Sequence, residues 1–140
     1  MAGGIQGFNK KIIDEFRANQ GKVGGQFDGM PLLLLTTKGA KSGATRTNPL
    51  AYLRDGDRYV IIASYAGAPK NPPWYHNLVA DPNVRVELGG QSFDARAEVV
   101  KEPERSALYQ KVEAAMPVFS EYKRKTQRVI PVIALRRTGA

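Results

Sequence analysis

The feature that most constrains the fold is a hairpin signature in the second half of the chain. Apolar and polar residues alternate over 84–88 and again over 93–99, and Gly89-Gly90 separates the two segments. Alternation with a period of two predicts strands that each bury one face, and a two-glycine linker predicts the tight turn that joins them. We therefore expect two antiparallel neighbours whose apolar side, including Val99, faces a core.

Similar signals elsewhere predict a mainly β (α+β) fold. Residues 47–53 and 59–64 flank Arg54-Asp55-Gly56-Asp57, which predicts a second hairpin. An apolar run at 32–37 and a last segment at 129–135 bring the prediction to six strands. The proline in the last segment favours a sheet edge or a strand start. Hairpins without βαβ alternation favour a small antiparallel barrel over a Rossmann fold.

Helices are predicted at three places around this barrel. The N-terminal helix, 5–19, is amphipathic, and its apolar face consists of Phe8, Ile12, Ile13 and Phe16. A central helix is predicted to begin at Pro72-Pro73 and to end at Asp81-Pro82. A late helix begins at Pro103 and is broken by Pro117, because proline removes a helical hydrogen bond.

The length and composition fit a single domain, 1–140, in which residues 1–30 form the N-terminal helix and a flexible glycine-rich connection. The chain has no cysteine and a single histidine, His76, so disulfides, thiolate nucleophiles and histidine metal clusters are not expected. It has neither an apolar run of about 18 residues nor an apolar signal-peptide core at its start, which predicts a cytoplasmic protein. The basic amphipathic first helix leaves open a peripheral contact with the inner face of the membrane.

The charge balance limits the partners that the chain attracts. Its 21 basic and 13 acidic residues give a formal net charge of +8. A basic protein attracts polyanions such as nucleic acid, anionic lipid or a phosphorylated cofactor. The charge by itself is equally consistent with a role in solubility alone, so the position of the basic residues is more informative.

Basic residues cluster in a predicted turn, TTKGAKSGATR, at residues 36–46. Its glycines free the backbone, and Lys38, Lys41 and Arg46 surround N–H groups and hydroxyls that suit an anion. Gly43 is not followed by Lys-Ser or Lys-Thr, so the turn is not a Walker A loop. On spacing alone, a solvated basic hairpin and a phosphate site both remain open.

A second unusual segment, ASYAGAPKNPPWYHNL, covers residues 63–78. Small residues at a strand end let a flat ring approach backbone N–H groups, and the N-terminus of the following helix favours negative charge. Trp74 would wall such a ring or would be a core anchor, and for this residue alone the core position is favoured.

Over about residues 5–137 the chain resembles the deazaflavin-dependent nitroreductase family. The matching strings are TTKGAKSGATRTNPL at 36–50, YVIIASYAGAPKNPPWYHNLVADPNVRVEL at 59–88, and a later AEVV, ER and LY. The resemblance implies a split β-barrel that binds coenzyme F-420, an 8-hydroxy-5-deazaflavin with a phosphate and a polyglutamate tail. It also implies an oxidoreductase that transfers a hydride to a small electrophilic acceptor, which could be a quinone, an enone or a nitroaromatic.

The resemblance further implies which residues bind the cofactor. The turn is expected to hold the phosphate and tail, the following strand to pass the deazaflavin ring, and the 63–78 segment to contact the ring and its polar edge. In chain order these residues are Lys38, Lys41, Ser42, Gly43, Arg46, Pro49, Leu50, Ala63, Ser64, Lys70, Asn71, Trp74 and Asn77. Ala40 departs from the family, where many members have a basic residue, and this removes one expected phosphate contact.

On the acceptor side, tyrosines of close relatives align with Met116, Phe119 and Tyr122, of which only Tyr122 has a hydroxyl. Ser64, Tyr65 and Tyr122 are the candidate catalytic residues that would donate a proton, and no metal is implied. The acceptor pocket is therefore expected to be apolar and poor in hydrogen-bond donors, which favours quinones over bulky nitroimidazoles.

Three other functions remain open. A non-catalytic F-420 carrier would bind the cofactor without turnover, and a related split barrel would use FMN instead. Lys123-Arg124-Lys125 and Arg128 could suit nucleic-acid phosphates, but aromatic residues interleaved with basic ones are lacking, so no nucleic-acid partner is predicted. The sequence leaves monomer and homodimer open.

Overall fold

The computed structural model describes residues 5–24 and 31–138. Within them, four helices surround seven strands. The helices are α1 (Ile5–Ala18), α2 (Pro73–Ala80), α3 (Glu104–Ala115) and α4 (Val118–Lys125). The strands are β1 (Leu32–Lys38), β2 (Thr45–Ala51), β3 (Leu53–Asp55), β4 (Arg58–Ile62), β5 (Asn83–Leu88), β6 (Gln91–Val99) and β7 (Val132–Arg137). The predictions for the Phe8 side chain and for glycines 25 and 29 lie outside what is described.

The strands form one antiparallel sheet in the order β2-β1-β5-β6-β7-β4-β3. β2 and β3 lie at opposite edges of this sheet, yet only Tyr52 separates them in the chain. The sheet must therefore curl until its two edges approach each other, which produces a split barrel. The Tyr52 N–H donates to the Pro31 carbonyl at 3.1 Å, so the residue at the bend keeps a hydrogen bond.

The prediction of a mainly β split barrel is confirmed, but the strand count is seven and not six. The predicted strand 47–53 is two strands, because the chain bends at Tyr52 and changes its pairing partner from β1 to β4. No glycine or proline marks that bend. The final strand begins after Pro131, which confirms the strand-start interpretation of this proline. The strand lies between β6 and β4, so the alternative prediction of a sheet-edge position is wrong.

The 84–99 hairpin forms with Leu88 opposite Gln91, as its glycine turn predicts. The alternating apolar residues of β5 and β6 face the barrel interior up to Ala97. Val99 is 36% exposed, so its predicted burial is wrong. Val100 is buried instead, under the late helices, and its N–H donates to the Val132 carbonyl at 2.9 Å. The alternation therefore loses its phase where the strand leaves the barrel.

Two further apolar clusters attach the helices to the barrel. One lies under α3 and α4, which are separate helices because the chain breaks at Met116-Pro117, as predicted. The other joins Ile12 and Phe16 of α1 to β1. α1 is also fixed to β5 by Arg17, whose guanidinium donates twice to the Glu87 carboxylate at 3.0 and 2.8 Å. In the part of the chain that is described, no helix is long and apolar enough to cross a membrane.

Candidate functional site

A cavity of about 940 Å³ lies where α1, β2, the 62–77 segment and α4 meet. Its volume is in the range of sites that hold a ligand of cofactor size. Its apolar lining includes Ile13, Pro49, Leu50, Ile62, Trp74, Val118 and Phe119. Its polar and charged lining includes Lys10, Asp14, Arg17, Arg46, Asn48, Ser64, Tyr65, Asn77 and Tyr122. The cavity therefore offers flat apolar walls with a few polar groups.

The β2 wall depends on the position of β2 at the edge of the sheet. β2 pairs only with β1 in the described structure, so Pro49 can occupy the strand although it has no N–H to donate. Pro49 and Leu50 are half-buried and line the cavity, and Arg46 is exposed at the start of the same strand. One short strand thus carries both an apolar surface and a cation into the site.

The basic turn lies beside the cavity and is closed by its own backbone. The Gly39 N–H donates to the Ala44 carbonyl at 2.7 Å, and the Gly43 N–H donates to the Gly39 carbonyl at 2.9 Å. Gly43 has φ +73°, a left-handed conformation that glycine adopts without strain. Lys38 and Lys41 are exposed on this turn and are not part of the cavity wall. Of the predicted phosphate-binding residues, only Arg46 lines the cavity itself.

Asn77 connects this turn to helix α2. Its Oδ1 accepts the Ala40 N–H at 3.0 Å, and its Nδ2 donates to the Thr37 hydroxyl at 3.1 Å. Asn77 is 9% exposed and Thr37 is 1% exposed, so the bond between their side chains is buried, whereas the bond from Ala40 is partly buried. The amide of Asn77 thus holds the basic turn at a fixed place beside the cavity.

The sequence analysis connects Arg128 only with a possible nucleic-acid contact. In the structure its side chain has a different role. Its guanidinium donates to the carbonyls of Ala63 (3.2 Å), Ser64 (2.7 Å) and Ala68 (2.9 Å), and to Asn71 Oδ1 (2.7 Å). Burial lowers the pKa of Arg128 from its usual value. No local pattern could have revealed this residue, since its partners lie 57 to 65 positions earlier in the chain.

The segment that Arg128 holds has an unusual backbone. Tyr65 has φ +50°, which is uncommon for a bulky residue, and Gly67 has φ +82°. Residues Tyr65–Gly67 form a 3-10 turn that packs against α4. Gly67 lies so close to Lys125 that there is no space for a Cβ atom. This conformation places Ser64 and Tyr65 in the cavity wall.

Another part of the cavity wall comes from α4. Phe119 is 6% exposed, and its ring meets the Tyr122 ring edge-on with centroids 5.5 Å apart. The Tyr109 hydroxyl donates to the Phe119 carbonyl at 2.7 Å and ties α3 to α4, and burial raises the pKa of Tyr109 to about 12. Met116 is buried between these helices and is not in the cavity wall.

The structure brings nine of the predicted site residues together as lining of one cavity: Arg46, Pro49, Leu50, Ser64, Tyr65, Trp74, Asn77, Phe119 and Tyr122. It places Lys38, Lys41, Ser42 and Gly43 on the neighbouring turn, Lys70 on the surface, Asn71 against Arg128, and Ala63 and Met116 in the core. Trp74 combines both interpretations, because it is 5% exposed within the barrel core and also lines the cavity.

Sequence reasoning missed the contribution of α1. Lys10, Asp14 and Arg17 lie on its exposed side and line the cavity, where Lys10 and Asp14 pair at 2.9 Å. The hydrogen bond from Arg17 to Glu87 raises the pKa of Arg17. The lining residues include the cations Lys10, Arg17 and Arg46 and one carboxylate, Asp14. Lys10 is paired with Asp14 and Arg17 with Glu87, so Arg46 is the lining cation that has no carboxylate partner among the described residues and can attract an anionic ligand. The amphipathic pattern of α1 was the available signal, but it did not show which structure the helix covers.

The curled antiparallel sheet and the cation-lined cavity define a split-barrel cofactor-binding protein. One similar solved structure is an F420H2-dependent reductase, with a TM-score of 0.69 and 38% identity over 76% of this chain and 94% of that one. Another, described as a domain-swapped dimer, has a TM-score of 0.71 and 32% identity over 94% of this chain and 96% of that one.

The particular family follows from sequence comparison. Residues 9–137 match the model of the F420H2-dependent quinone reductase family. The chain is also 41% identical over 126 residues to an F420H2-dependent quinone reductase of Mycobacterium tuberculosis, covering 87% of this chain and 85% of that protein. The chain therefore belongs to the F420H2-dependent quinone reductase family. Membership confirms the expected oxidoreductase class and the F-420 cofactor, whereas the nitroreductase label of the resemblance is not supported.

Proposed function

We propose that this chain catalyses the reduction of a quinone by reduced F-420 inside the 940 Å³ cavity. The observation that carries the proposal is the composition of the cavity wall in a member of this family. Apolar residues form much of this wall, and Arg46 adds a cation that is not paired with a carboxylate in the described structure. A deazaflavin with an anionic tail needs both features, so the residues present fit the cofactor.

The cofactor-binding roles follow from position. Arg46 would hold the anionic part where it enters the cavity, and Lys38 and Lys41 would extend the positive surface along the exposed turn. Pro49 and Leu50 of β2 and Trp74 of α2 would bound the ring. The bound cofactor supplies the hydride equivalent, which with one proton converts a quinone to its quinol.

The chain's own residues would orient the acceptor and deliver the proton. Tyr65 and Tyr122 line the cavity from different elements, and neither hydroxyl makes a hydrogen bond to another described residue. Each is therefore free to donate to a quinone oxygen as negative charge develops there. Ser64 offers a third hydroxyl at the same wall. Phe119 would exclude water from the acceptor without donating a hydrogen bond.

A direct test is anaerobic oxidation of reduced F-420 by the purified protein, with and without a soluble quinone. Quinone-dependent oxidation is expected, together with quenching of Trp74, the single tryptophan of the chain. Cofactor binding without quinone-dependent oxidation would favour the carrier function instead. Parallel titrations with FMN and with duplex DNA test the remaining alternatives, and preferential binding of either would contradict the proposal.

The proposal also places the reaction in the cytoplasm, where the chain could meet a quinone at the inner face of the membrane. The cations near the cavity support such an encounter with an anionic lipid surface. Sedimentation with vesicles of neutral and of anionic lipid, in the presence of F-420, tests the membrane contact. Light scattering of the protein with F-420, in the absence of vesicles, decides between monomer and homodimer.

A further inference from the structure

The segment from Ser64 to Pro72 forms part of the cavity wall, and one distant side chain holds it. Within the segment, the Gly67 N–H donates to the Ser64 carbonyl and the Ala68 N–H donates to the Tyr65 carbonyl, at 2.9 and 3.0 Å. These bonds are local and do not fix the segment to the barrel. In the described structure, its hydrogen bonds to distant parts of the chain go to Arg128.

The contacts of Arg128 extend along the whole segment. They begin at Ala63, the residue after β4, and end at Asn71, two residues before α2. All acceptors are carbonyl oxygens, three from the backbone and one from the Asn71 amide. A planar guanidinium has its donors in a rigid fork, so four acceptors at these distances determine the shape of the segment around it.

Arg128 is also a cation without a carboxylate partner among the described residues. Arg105 provides the contrast, because it donates to the Ile130 carbonyl at 2.9 Å but also pairs with Glu102 at 3.0 Å. Partial burial of a charge with only neutral acceptors is unfavourable, and it lowers the pKa of Arg128. The guanidinium is bonded to the Ser64 carbonyl at 2.7 Å, although Arg128 itself is not one of the residues that line the cavity.

We infer that Arg128 is a positioning residue for F-420 binding, because its guanidinium fork holds the backbone from Ala63 to Asn71 in the conformation that places Ser64 and Tyr65 in the cavity wall. This inference rests on the proposed function. Tyr65 illustrates the need for such support, since its left-handed φ of +50° persists only if the surroundings impose it. The geometry of the fork, more than its charge, is the property that matters.

Arg128→Ala and Arg128→Lys separate geometry from charge. Lysine keeps the charge but cannot reach four divergent acceptors, so both variants should lose about tenfold or more in F-420 affinity. Affinity is measured by Trp74 fluorescence, well below each variant's melting temperature. The matched control is Arg105→Ala, which removes a comparable arginine outside the cavity wall and should lower the melting temperature without weakening F-420 binding.

Chemical rescue makes the test specific. Ethylguanidinium replaces the atoms that Arg128→Ala removes, whereas ethylammonium restores only the charge. We expect ethylguanidinium to recover F-420 affinity in Arg128→Ala and ethylammonium to leave it low, with no effect of either on Arg105→Ala. If Arg128→Ala does not fold, Arg128→Lys against Arg105→Ala decides the question.

Unchanged F-420 affinity in folded Arg128→Lys would overturn the inference, as would equal rescue by the two additives. An equal loss of affinity in Arg105→Ala would show that Arg128 acts only through general stability, which also overturns it. If wild-type protein did not bind F-420 or reduce a quinone with it, the proposed function would fail instead.

Discussion

The Asn77 side chain accepts a hydrogen bond from the Ala40 N–H at 3.0 Å and thereby joins helix α2 to the basic turn between β1 and β2. The same amide donates to Thr37. Two parts of the expected cofactor site that are 37 residues apart are thus held together by one side chain. Their relative position, which sequence spacing could not give, depends on this contact.

Asn77→Ala should therefore loosen the turn as well as reduce stability. Removal of both bonds leaves the Thr37 hydroxyl and the Ala40 N–H without their partner, which should cost about 1–3 kcal/mol in the free energy of unfolding. F-420 affinity should fall with it, because Lys41 and Arg46 lose their fixed position. Urea unfolding and Trp74 fluorescence measure the two effects. Asn83→Ala, at an exposed residue whose side chain bonds only to Asp81 among the described residues, is the control and should change neither.

Gly67→Ala tests the packing of the Ser64–Pro72 segment on α4. A Cβ at Gly67 would lie 2.7 Å from Lys125 Cβ and 3.1 Å from the Tyr122 carbonyl oxygen, so α4 must move. The expected loss is about 1–3 kcal/mol of stability from overpacking, with a higher KM for the quinone because Tyr122 is displaced. Gly56→Ala is a close control, since φ is +61° there but nothing lies within 4 Å of the added Cβ. Equal effects of the two substitutions on KM would contradict the displacement of Tyr122.

Charge reversal tests the cationic surface. Arg46→Glu should weaken F-420 binding more than Lys41→Glu, because Arg46 lines the cavity and Lys41 lies on the exposed turn. Each lost charge-assisted contact is worth about 1.5–3 kcal/mol, and the loss should shrink as salt screens the charges. Titrations at low and high salt measure this. Lys101→Glu, an exposed lysine outside the cavity wall, controls for net charge, and a similar loss in that variant would exclude a local effect.

Phe119→Tyr tests the expectation of an apolar acceptor pocket. Phe119 lines the cavity beside Tyr122, so the substitution would add one more hydroxyl donor, at a position where the wild-type side chain has none. A donor to developing negative charge on oxygen can be worth on the order of 10²-fold in rate. We expect little wild-type reduction of a nitroimidazole, faster reduction in the variant, and a smaller change with a quinone. Efficient nitroimidazole reduction by the wild type would show that Phe119 does not limit the reaction.

The buried Tyr109 hydroxyl predicts a specific alkaline loss of stability. Burial raises its pKa to about 12 in the folded chain, against about 10 in an unfolded one, so the folded state favours the protonated phenol. The contribution of the protonated Tyr109 phenol to the free energy of unfolding is therefore complete below about pH 10. It is lost as the pH rises from 10 to 12. Tyr109→Phe should show a shallower decline over this range. Urea unfolding of both proteins between pH 8 and pH 11, in steps of about one unit, measures the difference; parallel declines would contradict it.

Much of the fold could be predicted because its signals are local. The alternation over 84–99 specified two strands and their turn, and the prolines at 73 and 117 gave the start of α2 and the break between α3 and α4. The bend at Tyr52 could not be predicted, because it has no glycine or proline and exists only because β2 and β3 pair with different strands. The predicted burial of Val99 is wrong for a related reason, because Val99 lies where β6 extends past the barrel interior.

The sequence by itself determined most of the strand and helix positions, the net positive charge and the family motifs, because each depends on residues that are neighbours along the chain. The tertiary structure alone decided that α1, β2, the Ser64–Pro72 segment and α4 enclose one cavity. It also decided that Arg128 bonds to the segment that follows β4, across 57 to 65 positions of sequence. The physical reason is that an alternating pattern specifies which side of a segment is buried. Which distant segments meet there depends on how the whole sheet curls and packs.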